Sequence, residues 1–419
     1  MARIAWCAAM SWLLIGPPLA AQDDLNGPLN REQQSQWRKQ IRTALSVPDP
    51  LPPLNSESYG KFEPIEGVIA ERISYSTQFG LRVPAILYLP KSHRGKLPAL
   101  IVVNGHGGDK TSWYAFYSGI AYARGGAAVL TYDPIGEGER NAERKSGTRA
   151  HDKVLTPDEL GRRMGGLMVT DIMQGVSYLQ SRPEIDPSRI GAMGYSMGSF
   201  VLSIAGAADD RLRACVLVGG GNLDGPGEYW DKSKPMCQGL PYQALSFLGD
   251  RPAAIYALHA SRGPTLIFNG LADTVVAIPT HGEAFFHDLR RRTIALAGKN
   301  DTVFDYRLVP DVSHRPFFLT RDVALWLEDK LDFPNWSTAD IEKLPTTHIS
   351  EWAAANNVAM DRLYATEERE GGTQAIGGNV PVLSRTQLSV LSDDEWRKRK
   401  PEFIYESWVA KARKAIENE

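Results

Sequence analysis

The chain has 419 residues, 43% apolar and 23% charged, the composition of an ordinary globular protein with room for one large domain plus additions, or for two domains. Its 47 Lys and Arg against 49 Asp and Glu leave a formal charge of -2. That balance gives no electrostatic preference for nucleic acid or for an anionic membrane, so neither is expected as a partner.

Arg3 precedes an apolar stretch from Ile4 to Ile15, and Gly16-Pro17-Pro18-Leu19-Ala20-Ala21 then ends in small residues. A positive start, a short apolar middle and a small-residue exit read as a secretory signal peptide over 1–21, cleaved after Ala20 or Ala21. The expected location is periplasmic or secreted, with no stable membrane anchor after cleavage. An uncleaved anchor helix is the alternative, but the run is short for a bilayer and is broken by Gly16 and two prolines. Cys7 lies ahead of most of the apolar run, unlike a lipoprotein cysteine. Of the remaining cysteines, Cys215 sits in Arg213-Ala214-Cys215-Val216-Leu217-Val218, a buried-strand pattern. A free buried thiol is expected there rather than a pair with Cys237.

Residues 22–60 are polar and Pro-rich, with one helix expected around Glu32 to Leu45, and read as an N-terminal arm. Gly67 to Tyr75 and Leu81 to Leu89 are β-rich runs separated by a short turn, a hairpin signal. From there fully apolar strands alternate with helical patterns. Strands are expected at Leu97 to Val103, Gly126 to Tyr132, Arg189 to Gly194, Arg213 to Val218, Pro264 to Phe268 and Tyr306 to Val309. Helices are expected at Trp113 to Ala123, Pro157 to Gln180, Met197 to Ala207 and Phe317 to Leu331.

Apolar strands alternating with helices are buried on both faces, which predicts an α/β fold. Its twisted sheet is mostly parallel with helices on both faces, and the hairpin forms its antiparallel edge. Residues 61–333 form this domain. The segment from about 221 to 262, rich in Gly, Pro and aromatics, reads as a cap insertion. Residues 334–419 read as a polar C-terminal helical appendage, with patches at Thr338 to Leu344, Ile349 to Tyr364 and Asp393 to Asn418. Sites in such sheets form at the carboxyl ends of the strands.

The sharpest chemical signal lies at such an end. In Gly194-Tyr195-Ser196-Met197-Gly198, after the strand ending at Met193, two glycines flank a serine that must turn tightly from strand into helix. The turn lifts the Ser196 hydroxyl into the open, and the helix beginning near Met197 aims its amide-rich end at any oxyanion formed. A serine hydroxyl is a poor nucleophile without a base. Of the histidines, His314 lies in a loop just past the last expected strand and just before a helix. The other histidines read as surface or locally hydrogen-bonded residues. Asp273 follows the strand ending at Gly270 and is the expected acid, with Asp301, Asp305 and Asp311 as less well-placed competitors. In chain order the set is Ser196, Asp273, His314.

The expected oxyanion donors are the backbone amides of Met197 and of His106, in the glycine-rich loop Asn104-Gly105-His106-Gly107-Gly108. Gly107 is the alternative donor and a candidate substrate contact. No His-Glu-x-x-His or Cys/His cluster accompanies His106, so neither a metal nor another cofactor is expected. Glu137, Glu139 and Arg140, after the strand ending at Tyr132, either bind substrate or tie down their loop. Trp230, Met236, Pro241 and Tyr242 either wall an acyl or sugar pocket or form the cap's own core.

The order of these motifs resembles the α/β-hydrolase superfamily, and within it the acetyl xylan esterase-like and dienelactone hydrolase-like branch. The resemblance rests on Asn104 to Gly108, Tyr132 to Gly138, Ser181 to Gly191, the elbow at Ser196, the turn at Asp273 and His314, and it covers about 62–331. It implies a serine carboxylic-ester hydrolase working through an acyl-enzyme on acetylated carbohydrate or other small acyl esters. Dienelactone hydrolases proper use a cysteine where this chain has Ser196. A serine peptidase of related fold is one alternative, although no propeller or amine-binding acidic pair is evident. A non-catalytic binding protein on the same scaffold is the other.

Overall fold

The computed structural model describes residues 27–153, 157–224, 236–358 and 373–419. The expected leader over 1–21, Trp230 and the side chains of Met236 and Cys237 lie outside the described residues. Among those described, no helix is long and apolar enough to cross a membrane.

Nine strands form the main sheet: β1 Glu57–Ile65, β2 Val68–Ser76, β3 Arg82–Pro90, β4 Leu97–Val103, β5 Ala128–Tyr132, β6 Ile185–Tyr195, β7 Ala214–Val218, β8 Thr265–Gly270 and β9 Phe304–Val309. Their spatial order is β1-β2-β3-β5-β4-β6-β7-β8-β9. β1, β2, β3 and β5 pair antiparallel, and every pairing from β5 onward is parallel. The predicted hairpin is β2 and β3, turning through Phe79 and Gly80, both at positive φ. β1 is a strand that the sequence pattern does not predict, and its first residues fall within the expected arm. Its alternation of half-buried and exposed residues marks a solvent-facing edge strand rather than a core one.

Strand β4 shows why the sheet is covered on both sides. Leu97, Ala99, Ile101 and Val103 enter one apolar core, and Leu100 and Val102 enter the other. The first core is closed by α1 (Arg31–Ala44), α3 (Pro157–Ser181), α4 (Met197–Ala208), α6 (Arg251–Ala260) and α7 (Ile278–Ala297). The second is closed by α2 (Trp113–Arg124) and α8 (Arg321–Leu331). Within the predicted cap, α5 (Met236–Gln243) precedes α6. α1 begins at a reciprocal cap in which Asn30 accepts from the Gln33 amide and Gln33 reaches back to Asn30. Cys215, on β7, is a buried free thiol whose pKa burial pushes up to about 12.

The C-terminal segment carries α9 (Thr338–Lys343), α10 (Ile349–Ala355), α11 (Arg385–Leu388), α12 (Asp393–Arg399) and α13 (Tyr405–Glu417). It also forms a two-stranded antiparallel sheet of Thr346–His348 against Gln374–Ile376. Pro401 separates α12 from α13, where the sequence pattern ran as one helical patch. Its polar average hides deep anchors: Trp408 is fully buried in the first core, and Trp352 and Trp396 in the second. Trp408→Ala removes the anchor of α13 and is expected to lower unfolding stability by about 3–5 kcal/mol, measured by denaturant titration.

Candidate active site

The strand order reverses around β4: the chain steps to β5 on one side and to β6 on the other. The carboxyl ends of β4 and β6 therefore flank a crevice, the usual site position in an open α/β sheet. Ser196 stands there, between the end of β6 and the start of α4, with φ 53° and ψ -122°. The glycines around it are sterically required. A β-carbon at Gly198 would lie 2.2 Å from the Val103 carbonyl oxygen, and one at Gly194 would lie 2.5 Å from the Gly198 carbonyl oxygen. The Ser196 amide donates to the carbonyl of Val218, at 2.8 Å, which ties the elbow to β7.

Asp273 and His314 meet at the ends of β8 and β9. Leu271 and Ala272 donate to the carbonyls of Val309 and Val312, at 2.8 and 3.0 Å, so the two loops are laced together. Gly270 permits this, since a β-carbon there would lie 2.0 Å from the Val312 carbonyl oxygen. Both side chains are buried, and His314 Nδ1 lies 2.7 Å from Asp273 Oδ2. The carboxylate only accepts, so Nδ1 carries the proton and the lone pair is left on Nε2. The other Asp273 oxygen accepts from the Val276 amide at 3.2 Å. Asp311, by contrast, is exposed.

The His314 ring lies against the elbow. Its centroid is 5.0 Å from that of Tyr195, whose hydroxyl donates to the His314 carbonyl at 3.3 Å. Gly219 also lies against it: a β-carbon there would come within 2.8 Å of the His314 ring and 3.1 Å of the Tyr195 ring. Gly219 directly follows the carbonyl that holds Ser196.

The β4 loop faces the same point. A β-carbon at Gly105 would lie 3.1 Å from Ser196 Cβ. The amides of Gly105 and Gly108 donate to Tyr114 Oη and to the Gly105 carbonyl, with His106 and Gly107 between them. Met197 opens α4, where a helical amide has no carbonyl one turn back to bond.

The loop after β5 holds itself together through buried charge. Lys110 Nζ meets Asp133 at 2.5 Å and Glu139 at 2.7 Å, while Arg140 pairs with Asp171. Glu139 also accepts from the Val390 and Leu391 amides and pairs with Arg144. Glu137 is buried and accepts from the amides of Thr148 and Arg149. These contacts match the loop-tying reading of Glu137, Glu139 and Arg140. Tyr242 is a correction: it is 1% exposed, covered by Arg251 at 4.2 Å from its ring, and belongs to the cap's own core. His259 and His281 are buried and locally hydrogen-bonded.

The family model for acetyl xylan esterase matches residues 60–218, and that for the prolyl oligopeptidase family matches residues 157–339. Among solved structures, Methylesterase BT1017 covers 92% of this chain and 76% of its own, at a TM-score of 0.56 and 20% identity. An acetyl xylan esterase from Paenibacillus sp. R4 covers 72% of this chain and 95% of its own, at 0.52 and 19%. The chain has the α/β-hydrolase fold, and each of the two family models matches less than half of it.

At such identities the structural likeness is one of fold. Two sequence relatives add to it. YtaP of Bacillus subtilis (strain 168), provisionally named a hydrolase, is 28% identical over 47% of this chain and 71% of its own length. The α/β hydrolase ucsC of Acremonium sp is 33% identical over 33% of this chain, which spans only 26% of that relative.

Burial raises the Glu137 pKa to about 7, against the backbone amides of Arg149, Thr148 and Gly147, which favour its charged form. A carboxyl held above its unfolded value binds a proton in the folded state that the unfolded chain has lost, so the fold weakens as pH climbs through that interval. Glu137→Gln is therefore expected to gain thermal stability relative to the parent hydrolase as pH rises from about 5 to about 8. Paired melting curves across that range check the trend.

Proposed function

We propose that this α/β-hydrolase is a serine carboxylic-ester hydrolase with Ser196 as nucleophile, His314 as base and Asp273 as the acid that orients it. The observation that carries the reading is one crevice edge holding a strained serine, an imidazole against its neighbours and a buried carboxylate on Nδ1 of that imidazole. The Ser196 proton passes to His314 Nε2 as Oγ bonds the acyl carbon. The alcohol then leaves with that proton, forming the acyl-enzyme. Water adds by the same route in reverse and releases the acid. The amides of Met197 and His106, with Gly107 as alternative, receive the oxyanion.

The substrate reading is a small acyl ester, with acetylated carbohydrate first. The match to the acetyl xylan esterase model and the fold likeness to structures named as acetyl xylan esterases support it. Export through the leader over 1–21 would put the enzyme where such polymers occur. The prolyl oligopeptidase match favours a second reading, cleavage of peptide bonds by the same residues.

Aryl acetate, acetylated xylan and aminoacyl amide assays separate the two. The ester reading expects turnover of the esters and little of the amides, and the reverse pattern would establish the peptidase. Ser196→Ala is expected to lower kcat at least about 10⁴-fold, and Asp273→Asn by about 10⁴-fold, with both variants folded. A folded Ser196→Ala protein that retains parental turnover removes Ser196 from the mechanism.

A further inference from the structure

The side chain of His106 meets two others. Its ring stacks on that of His151, with centroids 5.3 Å apart and planes at 9°. Its Nε2 lies 3.3 Å from Asp152 Oδ1, and His151 Nε2 lies 3.8 Å from the same oxygen. One nitrogen or oxygen from each of the three residues falls within 4.8 Å of the others.

His151 is the residue that hydrogen bonding alone leaves unexplained. It is 1% exposed, and its Nδ1 lies 3.1 Å from the carbonyl oxygen of Ile135. A carbonyl only accepts, so the ring proton sits on Nδ1 and Nε2 presents a bare lone pair. That nitrogen has no hydrogen-bond partner among the described residues, although it faces His106 and Asp152.

We propose that His106 Nε2, His151 Nε2 and Asp152 Oδ1 form a binding site for a divalent transition-metal ion of the zinc class. Bonds of about 2.0–2.2 Å in a tetrahedron set ligand atoms roughly 3.3–3.5 Å apart. The 3.3 Å spacing already matches, the 3.8 Å spacing is close, and the two imidazole nitrogens lie within 4.8 Å of each other, so side-chain turns complete the set. Two imidazoles and one carboxylate suit zinc and its neighbours, whereas calcium and magnesium prefer all-oxygen sites. The surroundings have the form of a metal site's outer shell. The Ile135 carbonyl fixes the His151 tautomer, and Arg149 Nε holds Asp152 Oδ2 at 2.7 Å, so that Oδ1 faces the imidazoles.

Such an ion bridges the loop after β5 to the loop that carries the proposed oxyanion donor, and so stiffens that donor. The binding claim itself stands apart from the esterase reading. It is tested on the whole mature chain after chelator dialysis, by calorimetric titration with zinc chloride and by the visible absorption of added cobalt. The expected result is one equivalent of zinc bound and a tetrahedral cobalt spectrum. Asp152→Asn and His151→Gln should each weaken zinc by at least the roughly 10- to 100-fold typical of changes in a metal site's outer shell. Circular dichroism checks folding, and Asp152, less buried than His151, carries the test if the His151 variant does not fold. No saturable zinc binding by the parent protein, or parental affinity in every folded variant, overturns the site.

Discussion

Ser196 sits at φ 53° and ψ -122°, a conformation that costs a residue with a side chain of the order of 1–3 kcal/mol. What holds it there is backbone packed on backbone. Gly198 runs so close to the Val103 carbonyl that no side chain fits between α4 and β4, and the Ser196 amide is bonded to β7. The same strand ends place the other parts. β4 continues into the Gly105 loop against Ser196, and β7 continues into Gly219 against the His314 ring. The site is thus a consequence of parallel strands ending in register, with glycines wherever two segments must touch.

A second layer of order comes from charge buried away from water. Lys110, Asp133 and Glu139 form a buried ion cluster within the loops after β4 and β5. Unpaired, any one of them would be strongly destabilising. Paired, they bind those loops to the C-terminal segment, which adds the Val390 and Leu391 amides on Glu139, the Trp396 indole on the Glu139 carbonyl and Arg385 on Asp109. The residues after 333 therefore contribute to the framework that supports the loops of the candidate site.

The sequence made the sheet legible because parallel strands buried on both faces are continuous apolar runs, as in Leu97 to Val103. The elbow was legible because its two glycines are steric necessities. Asp273 and His314 could be chosen by their places after strands, since the fold confines such groups to one edge. The rest lacked a local signal. β1 is a half-exposed edge strand, and its burial pattern resembles a polar arm. Trp352, Trp396 and Trp408 are isolated anchors in polar surroundings, so composition mislabelled their packing. Tyr242 looked like a pocket wall because aromatic residues in a cap serve either purpose until burial is known. His106 and His151 are 45 positions apart, and only the close approach of two loops brings their rings together.

The most direct measurement of the central claim is peptide mapping by mass spectrometry after reaction of the folded hydrolase with a fluorophosphonate. The account predicts a single phosphonyl adduct on the peptide containing Ser196, blocked when Asp273 is replaced by a residue that cannot orient His314. An adduct on a different serine, or a folded protein that turns over esters while Ser196 stays unmodified, would contradict it.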